Sequence, residues 1–157
     1  MDNNYINIYN NLVNLTRNKN LYKNFSTQDT FSDRLIFFMF HFAFFLKVFK
    51  KNNKKKILQE IYDQIFKYLE LSVREMGYGD ATINKKMKNY LNIFHLILEQ
   101  ISNWENELDS SKGNILSNFL DIGKKTSNLT IYFDNYIANL SNNTLNFYIK
   151  GVVKDKF

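Results

Sequence analysis

Residues 35–46 read LIFFMFHFAFFL, a run of twelve residues with no charge, between Arg34 and Lys47. As a helix this run is about 18 Å long at roughly 1.5 Å per residue, whereas the hydrocarbon core of a bilayer is ~30 Å thick. The length therefore favours a buried core helix over a membrane span. Because the run is apolar on every side, it is typical of the central helix of a bundle.

The sequence on both sides of this run has helical spacing of apolar residues and contains no proline. We expect helices over 2–17, 31–50, 55–76, 83–108, 114–124 and 127–141, and either a last helical turn or a short strand over 145–149. The intervening segments 18–28, 51–54 and 109–113 are expected to be connections. The pattern predicts one all-α domain over residues 1–157, a bundle of about five to six helices around the aromatic-rich run.

Local signals set several of these boundaries. Asp29 or Thr30 can cap the helix that contains the apolar run. The negative charge of Asp33 is favourable near the positive N-terminal end of this helix. Gly77 fits the left-handed position after the next helix. Asp80 or Thr82 is expected to cap the helix after that. The apolar face of 55–76 is expected to comprise Ile57, Leu58, Ile61, Ile65, Leu69, Ser72 and Met76.

Composition excludes several classes of protein. Of the 157 residues, 45% are hydrophobic and 17% aromatic, which is too much for intrinsic disorder. The absence of cysteine rules out disulfide scaffolds, thiolate metal sites and cysteine nucleophiles. Residues 1–30 lack the apolar run of a secretory signal and the Arg- and Ser-rich character of a mitochondrial transit peptide.

Positive charge is concentrated in one place. Six lysines lie within ten residues without an acidic neighbour: Lys47, Lys50, Lys51, Lys54, Lys55 and Lys56. The other 15 basic residues balance the 15 acidic ones, so the net charge of +6 is a local feature. This cluster is either a solvated loop or a contact for an anionic membrane surface or ribosomal RNA. Such bunching argues against DNA or single-stranded nucleic-acid binding, which needs basic and aromatic residues along a track.

Residue types that carry chemistry are few. The two histidines, His41 and His95, fit core or helix-surface positions, and a haem site between neighbouring helices is the alternative. Two histidines do not specify a zinc site, which takes three or four protein ligands. No P-loop, GxGxxG or Ser–His–Asp context is present. We therefore predict a binding protein with no catalytic residue, metal, cofactor or small-molecule substrate.

One set of motifs resembles a known family. The apolar helix follows DTFSDR at 29–34, a charged loop follows it, and LSVREMGYGD at 71–80 precedes INKKMK at 83–88. This order is similar to that of the ubiquinol–cytochrome c chaperone family, the assembly factors for cytochrome b of respiratory complex III. The similarity is clearest over about 29–100, and the core that resembles the family extends over about 29–141, after an N-terminal helix and connection at 1–28.

The resemblance implies an all-helical chaperone for newly made cytochrome b, without catalytic residues or cofactor. It also implies the short bacterial form, since the chain begins Met-Asp-Asn with little room for a presequence, and work in the cytoplasm at the inner membrane. A small partner subunit or the ribosome is a further possible partner. The Phe-rich helix departs from the family, either by drift or as a larger client groove.

We predict the binding edge at the turn that the motif contains. A mixed polar surface is expected there, where the glycines lie beside the start of the following helix. Its candidate client contacts are Arg74, Glu75, Gly77, Gly79, Asp80, Lys85, Lys86 and Met87. The alternative is that the glycines and Asp80 serve only the turn and the cap.

Overall fold

The computed structural model describes residues 4–23, 30–52, 54–122 and 125–151, and every regular element in those ranges is helical. The all-α prediction is therefore confirmed. The α-helices are α1 (Ile6–Thr16), α2 (Phe31–Lys50), α3 (Lys55–Arg74), α4 (Asp80–Gln100), α5 (Asp109–Ser117), α6 (Ser127–Ser141) and α7 (Leu145–Lys150). Short 3₁₀ turns occupy Lys19–Tyr22 and Trp104–Asn106.

Helix α2 lies at the centre of the fold, where α1, α3, α4 and α6 all pack against it. Its buried aromatic residues point to all sides of the helix: Phe37, Phe38, Phe40, His41, Phe42, Phe44, Phe45 and Phe49. The prediction of a core helix is thus confirmed. The alternative of a larger client groove is contradicted, because the fold itself covers these phenylalanines.

The N-terminus of α2 forms as the sequence predicts. Thr30 is the N-cap, and its Oγ1 accepts a hydrogen bond of 3.2 Å from the Asp33 backbone N–H. The Thr30 N–H donates in return to Asp33 Oδ2 at 3.4 Å, which completes a capping box. Asp29, the other predicted cap, lies outside the described residues.

The largest boundary errors concern α4 and α5. Helix α4 begins at Asp80 instead of residue 83 and ends at Gln100 instead of 108. Trp104 turns inward after it, fully buried, and donates from Nε1 to Asp134 Oδ1 of α6 at 2.9 Å. The predicted loop 109–113 is instead the start of α5, which ends at Ser117 and not at 124. Contacts from α6 therefore override the local pattern.

Other boundaries lie closer to the predictions. Helix α6 matches 127–141, and the tail is a helix and not a strand. Helix α1 begins at Ile6, with residues 1–3 outside the described ranges, and the predicted connection 18–28 includes a 3₁₀ turn before the undescribed 24–29. In the part of the chain that the structure describes, no helix has the length and apolar character needed to cross a membrane.

Candidate functional site

The first candidate surface is the glycine turn, residues 75–79, which joins α3 to α4. Helix α3 ends with Gly77 N–H donating to the Arg74 carbonyl at 3.0 Å. Gly77 has a φ of 92°, the left-handed conformation that the sequence predicted. Gly79 is the N-cap of α4 and is extended, so neither Asp80 nor Thr82 is the cap as predicted. Asp80 lies in the first turn instead, at the positive end of the helix.

Gly77→Ala is expected to lower the free energy of unfolding by about 1–2 kcal/mol, the cost of holding an L-residue in the left-handed region. The cost is one of backbone conformation alone, because an added Cβ meets no heavy atom within 4 Å. Urea denaturation measures the difference. Gly79→Ala is the matched control, since that site is equally open but extended. Equal loss in the two variants would contradict a conformational role for Gly77.

Arg74, beside the glycine turn, forms ion pairs with two acidic residues. Arg74 Nη1 donates to Asp80 Oδ1 at 2.5 Å, and Arg74 Nη2 lies 3.7 Å from Glu70 Oε1. The hydrogen bond to Asp80 raises the pKa of the Arg74 guanidinium further above its ordinary value. Both side chains are exposed, so the ion pair adds little stability but connects the two helices across the turn.

Of the predicted contacts at the start of α4, the lysines lie at the surface and the methionine is buried. Lys86 Nζ lies 4.7 Å from the centre of the Tyr78 ring, a cation–π contact that attaches the start of α4 to the turn. Lys85 and Glu75 are exposed. Met87 is only 8% exposed and packs in the core, which removes it from the surface around the turn.

Sequence reasoning missed the apolar part of this surface. Leu71, Met76 and Tyr78 are 41%, 49% and 43% exposed, respectively. The expectation that Met76 continues the apolar face of α3 is wrong, because the helix ends at Arg74. Ile57, at the other end of that face, is also exposed. The signal that could have revealed the exposed positions of Met76 and Tyr78 is that each of these large apolar residues lies directly beside a glycine.

The second candidate surface is a cleft of about 760 Å³ that we call the lysine cleft. It lies where the end of α2, the start of α3 and the end of α4 meet. Its lining combines four lysines with apolar and polar side chains: Leu46, Lys47, Lys50, Lys51, Lys55, Leu58, Gln59, Tyr62, His95, Leu98 and Ser102. Lys54 and Lys56 do not line it.

The carboxylate of Glu105 forms ion pairs with two of these lysines. Lys47 Nζ donates to the Ser102 carbonyl at 2.6 Å and lies 3.2 Å from Glu105 Oε2, while Lys51 Nζ lies 3.9 Å from Glu105 Oε1. Partial burial alone would raise the pKa of Glu105, but its backbone hydrogen bond and the two lysines outweigh this and lower it. Within the described ranges, Lys50 and Lys55 have no acidic side chain within 4.0 Å.

The two histidines differ in position: His41 lies in the core, apart from both surfaces, whereas His95 lines the lysine cleft. His41 is fully buried, and its Nδ1–H donates to the Phe37 carbonyl at 2.6 Å while Nε2 accepts from the Tyr132 hydroxyl at 2.7 Å. Burial lowers the pKa of His41 to about 4, against a smaller opposing effect of the Phe37 bond. With both ring nitrogens engaged, His41 fits the predicted core histidine and not a haem ligand. His95 is exposed, with Nε2 3.0 Å from the Tyr62 hydroxyl.

Comparison with known proteins identifies the family. Residues 23–120, more than half of the chain, match the family described as Ubiquinol-cytochrome C chaperone. The chain belongs to the ubiquinol–cytochrome c chaperone family. No curated protein and no solved structure matches it significantly.

The part of the chain that matches the ubiquinol–cytochrome c chaperone family contains both surfaces. It includes α2, α3, the glycine turn and α4, and it extends beyond the 29–100 segment that carries the sequence resemblance. Membership implies a role in the assembly of complex III, and proteins of this family are typically non-catalytic. Among the described residues no group of three His, Asp or Glu side chains comes together to hold a metal ion.

Proposed function

We propose that the chain is a non-catalytic assembly chaperone that binds newly made cytochrome b and aids the biogenesis of ubiquinol–cytochrome c reductase, respiratory complex III. Membership of the ubiquinol–cytochrome c chaperone family supports a role in the assembly of complex III. We place the protein in the cytoplasm, peripheral to the inner membrane, where newly made helices of cytochrome b enter the bilayer. The glycine turn is the proposed client-binding edge.

The exposed apolar side chains at the glycine turn carry this proposal. Leu71, Met76 and Tyr78 present apolar surface beside the charges of Glu75 and Lys86. A client helix that leaves the membrane has the same character, an apolar stretch with polar residues at its end. The turn therefore offers complementary contacts to such a helix end.

The chemistry of these side chains favours reversible binding. Methionine is flexible and polarizable, so it adapts to differently shaped apolar surfaces. Tyrosine adds apolar area with a polar hydroxyl at its tip. A chaperone has to release its client to its final packing partners, and a small adaptable edge satisfies this need better than a deep rigid groove.

Met76→Asp is expected to reduce the capture of newly made cytochrome b by about tenfold or more, because burying a methionine contributes about 1.5–3 kcal/mol and each 1.4 kcal/mol is tenfold in affinity. The measurement is a pull-down from native membranes of a strain that lacks the native gene and carries the variant. Glu75→Lys tests the polar part of the same edge. The amount of assembled complex III is the second measurement.

Ile131→Asp is the matched control for the client-binding edge. Ile131 is 59% exposed on α6, a helix that contributes no residue to the client-binding edge, and so carries the same apolar-to-acid change at a different surface position. Its strain is expected to retain both cytochrome b capture and complex III. Normal assembly with folded Met76→Asp and Glu75→Lys variants would rule out the edge, and normal cytochrome b in the deletion strain would rule out the function.

The pull-down also addresses other proposed partners. A small partner subunit or ribosomal proteins are expected in the same fraction if the chaperone meets its client at the site of synthesis. Met76→Asp and Ile131→Asp then show whether either partner depends on the glycine turn. Loss of cytochrome b with retention of such a partner would assign the two to different surfaces.

A second candidate function is attachment to an anionic membrane surface through the lysine cluster 47–56. Lys50, Lys51, Lys55 and Lys56 are exposed at the end of α2 and the start of α3. Lysines near an anionic surface contribute about 1 kcal/mol each and act within a Debye length. This candidate requires binding to anionic but not neutral vesicles, and weaker binding as the salt concentration rises.

A further inference from the structure

We propose that the lysine cleft binds a single anionic membrane phospholipid, with one acyl chain along its apolar wall and the phosphate at its lysine rim. This goes beyond attachment to a membrane surface, because the ligand is one lipid molecule in a defined site. It is also independent of the cytochrome b proposal, since it uses other residues.

Three helices build the apolar wall. Leu46 comes from α2, Leu58 and Tyr62 from α3, and Leu98 from α4. A volume of about 760 Å³ lies within the roughly 300–1,000 Å³ range of small-molecule sites, which are mostly apolar with a few placed polar groups. The cleft therefore has the size and the lining for an apolar chain.

The rim supplies the charge that selects the ligand. Four lysines line the cleft, and Glu105 is the one carboxylate paired with any of them among the described residues, which leaves a surplus of three positive charges. Lys47 is held by Ser102 and Glu105. Lys50 and Lys55 have no acidic partner there, so they are the groups that a phosphate would meet.

The lining favours a lipid over a nucleotide or a nucleic acid. Bases bind by stacking on aromatic rings, and the aromatic ring that lines this cleft besides His95 is Tyr62. That ring packs on Phe66 and Phe94 at 4.9 and 6.1 Å between centres, and its hydroxyl meets His95. The leucines are instead suited to an aliphatic chain.

The two ends of α3 separate this cleft from the client-binding edge. The cleft includes Lys55 at the N-terminus of α3, and the glycine turn follows Arg74 at its C-terminus. Twenty residues of helix at roughly 1.5 Å each span about 30 Å. A lipid and a client could therefore be bound at the same time.

The test compares Lys55→Glu with Lys56→Glu. The two lysines are adjacent and exposed and lie in the same helical turn, but Lys55 lines the cleft and Lys56 does not. Binding of full-length protein is measured to nanodiscs that contain phosphatidylglycerol and to monomeric short-chain phosphatidylglycerol. Lys55→Glu is expected to weaken both at least fivefold, and Lys56→Glu less than twofold.

Gln59→Trp provides a second variant without a change of charge. Gln59 is an exposed residue that lines the cleft, so an indole there fills the space intended for the acyl chain. It is expected to weaken binding of the short-chain lipid at least fivefold while the thermal midpoint stays close to that of the wild type. Unchanged affinity in this folded variant would overturn the proposal.

The remaining outcomes separate the alternatives. Equal loss with Lys55→Glu and Lys56→Glu would show surface attraction only and overturn the cleft as a lipid site. Equal affinity for glycerol phosphate, which has no acyl chain, would show an anion site and also overturn it. Retained cytochrome b capture by Lys55→Glu, together with lost lipid binding, would support two independent sites.

Discussion

Replacing Phe42 by alanine is expected to lower the free energy of unfolding by about 3–5 kcal/mol. Phe42 is fully buried at the middle of α2, and its ring centre lies 6.1 Å from that of Phe66 in α3 and 5.4 Å from that of Phe94 in α4. Alanine removes the contacts of this ring with both helices at once and leaves a cavity that rigid neighbours fill only in part.

Chemical denaturation of the wild type and the Phe42→Ala variant measures this loss. Phe31→Ala is the matched control, because Phe31 lies in the same helix but is 41% exposed. Its expected cost is less than about 1 kcal/mol. A cost for Phe42→Ala as small as that of the control would contradict the placement of α2 at the centre of the core.

The second large effect is a loss of stability on acidification through His41. The pKa of this imidazole is lowered to about 4 in the folded state by burial, against an ordinary value of 6.5. The unfolded chain therefore binds a proton between these values that the folded chain excludes. The stabilisation is complete above pH 6.5 and is lost as the pH falls toward 4, by about 3 kcal/mol in all.

This dependence is measured best in a His95→Gln background, which leaves His41 as the sole histidine of the chain. The free energy of unfolding is compared at pH 7 and pH 5, with and without His41→Gln. The His41→Gln change lowers stability at both pH values because the bond between His41 and the Tyr132 hydroxyl is lost. The change is also expected to remove the greater part of the dependence of the unfolding free energy on pH. An equal change in the free energy of unfolding between pH 7 and pH 5 in both proteins would show that His41 does not cause the loss of stability on acidification.

The fold was predictable where local chemistry determines it. The apolar run specifies a central α2 because a helix that is apolar on every side and too short to cross a bilayer is covered only when other helices surround it. Thr30 and Asp33 determine the start of α2, and Gly77 determines the end of α3, since each depends on residues within one helical turn.

The region after residue 100 was not predictable, because distant contacts determine it. Trp104 continues the apolar stripe of α4 in the sequence, yet its bond to Asp134 requires a turn that ends the helix. Lys112 lies 3.1 Å from the same carboxylate, which keeps the polar segment 109–113 helical against α6. Propensity is a weak guide where such contacts exist.

In the candidate site, too, local features were predictable from the sequence and those that depend on packing were not. The sequence pointed to the glycine turn and the lysine cluster, each of which is a continuous segment. It did not show that Met76 and Tyr78 are exposed, nor that Leu98 comes beside Lys50 and Lys55. Those relations depend on where α3 ends and on how α4 packs against α2 and α3.

The central position of α2 also affects synthesis of the protein. His41 and Tyr132 are 91 residues apart, so the ribosome completes α2 long before α6 exists to cover it. At ~5–20 residues per second this interval is on the order of ten seconds. During that time the nascent chain exposes a run of phenylalanines like those of the membrane segments it is proposed to assist. A protein proposed to assist newly made membrane helices therefore depends, for its own folding, on timely synthesis of its C-terminal half.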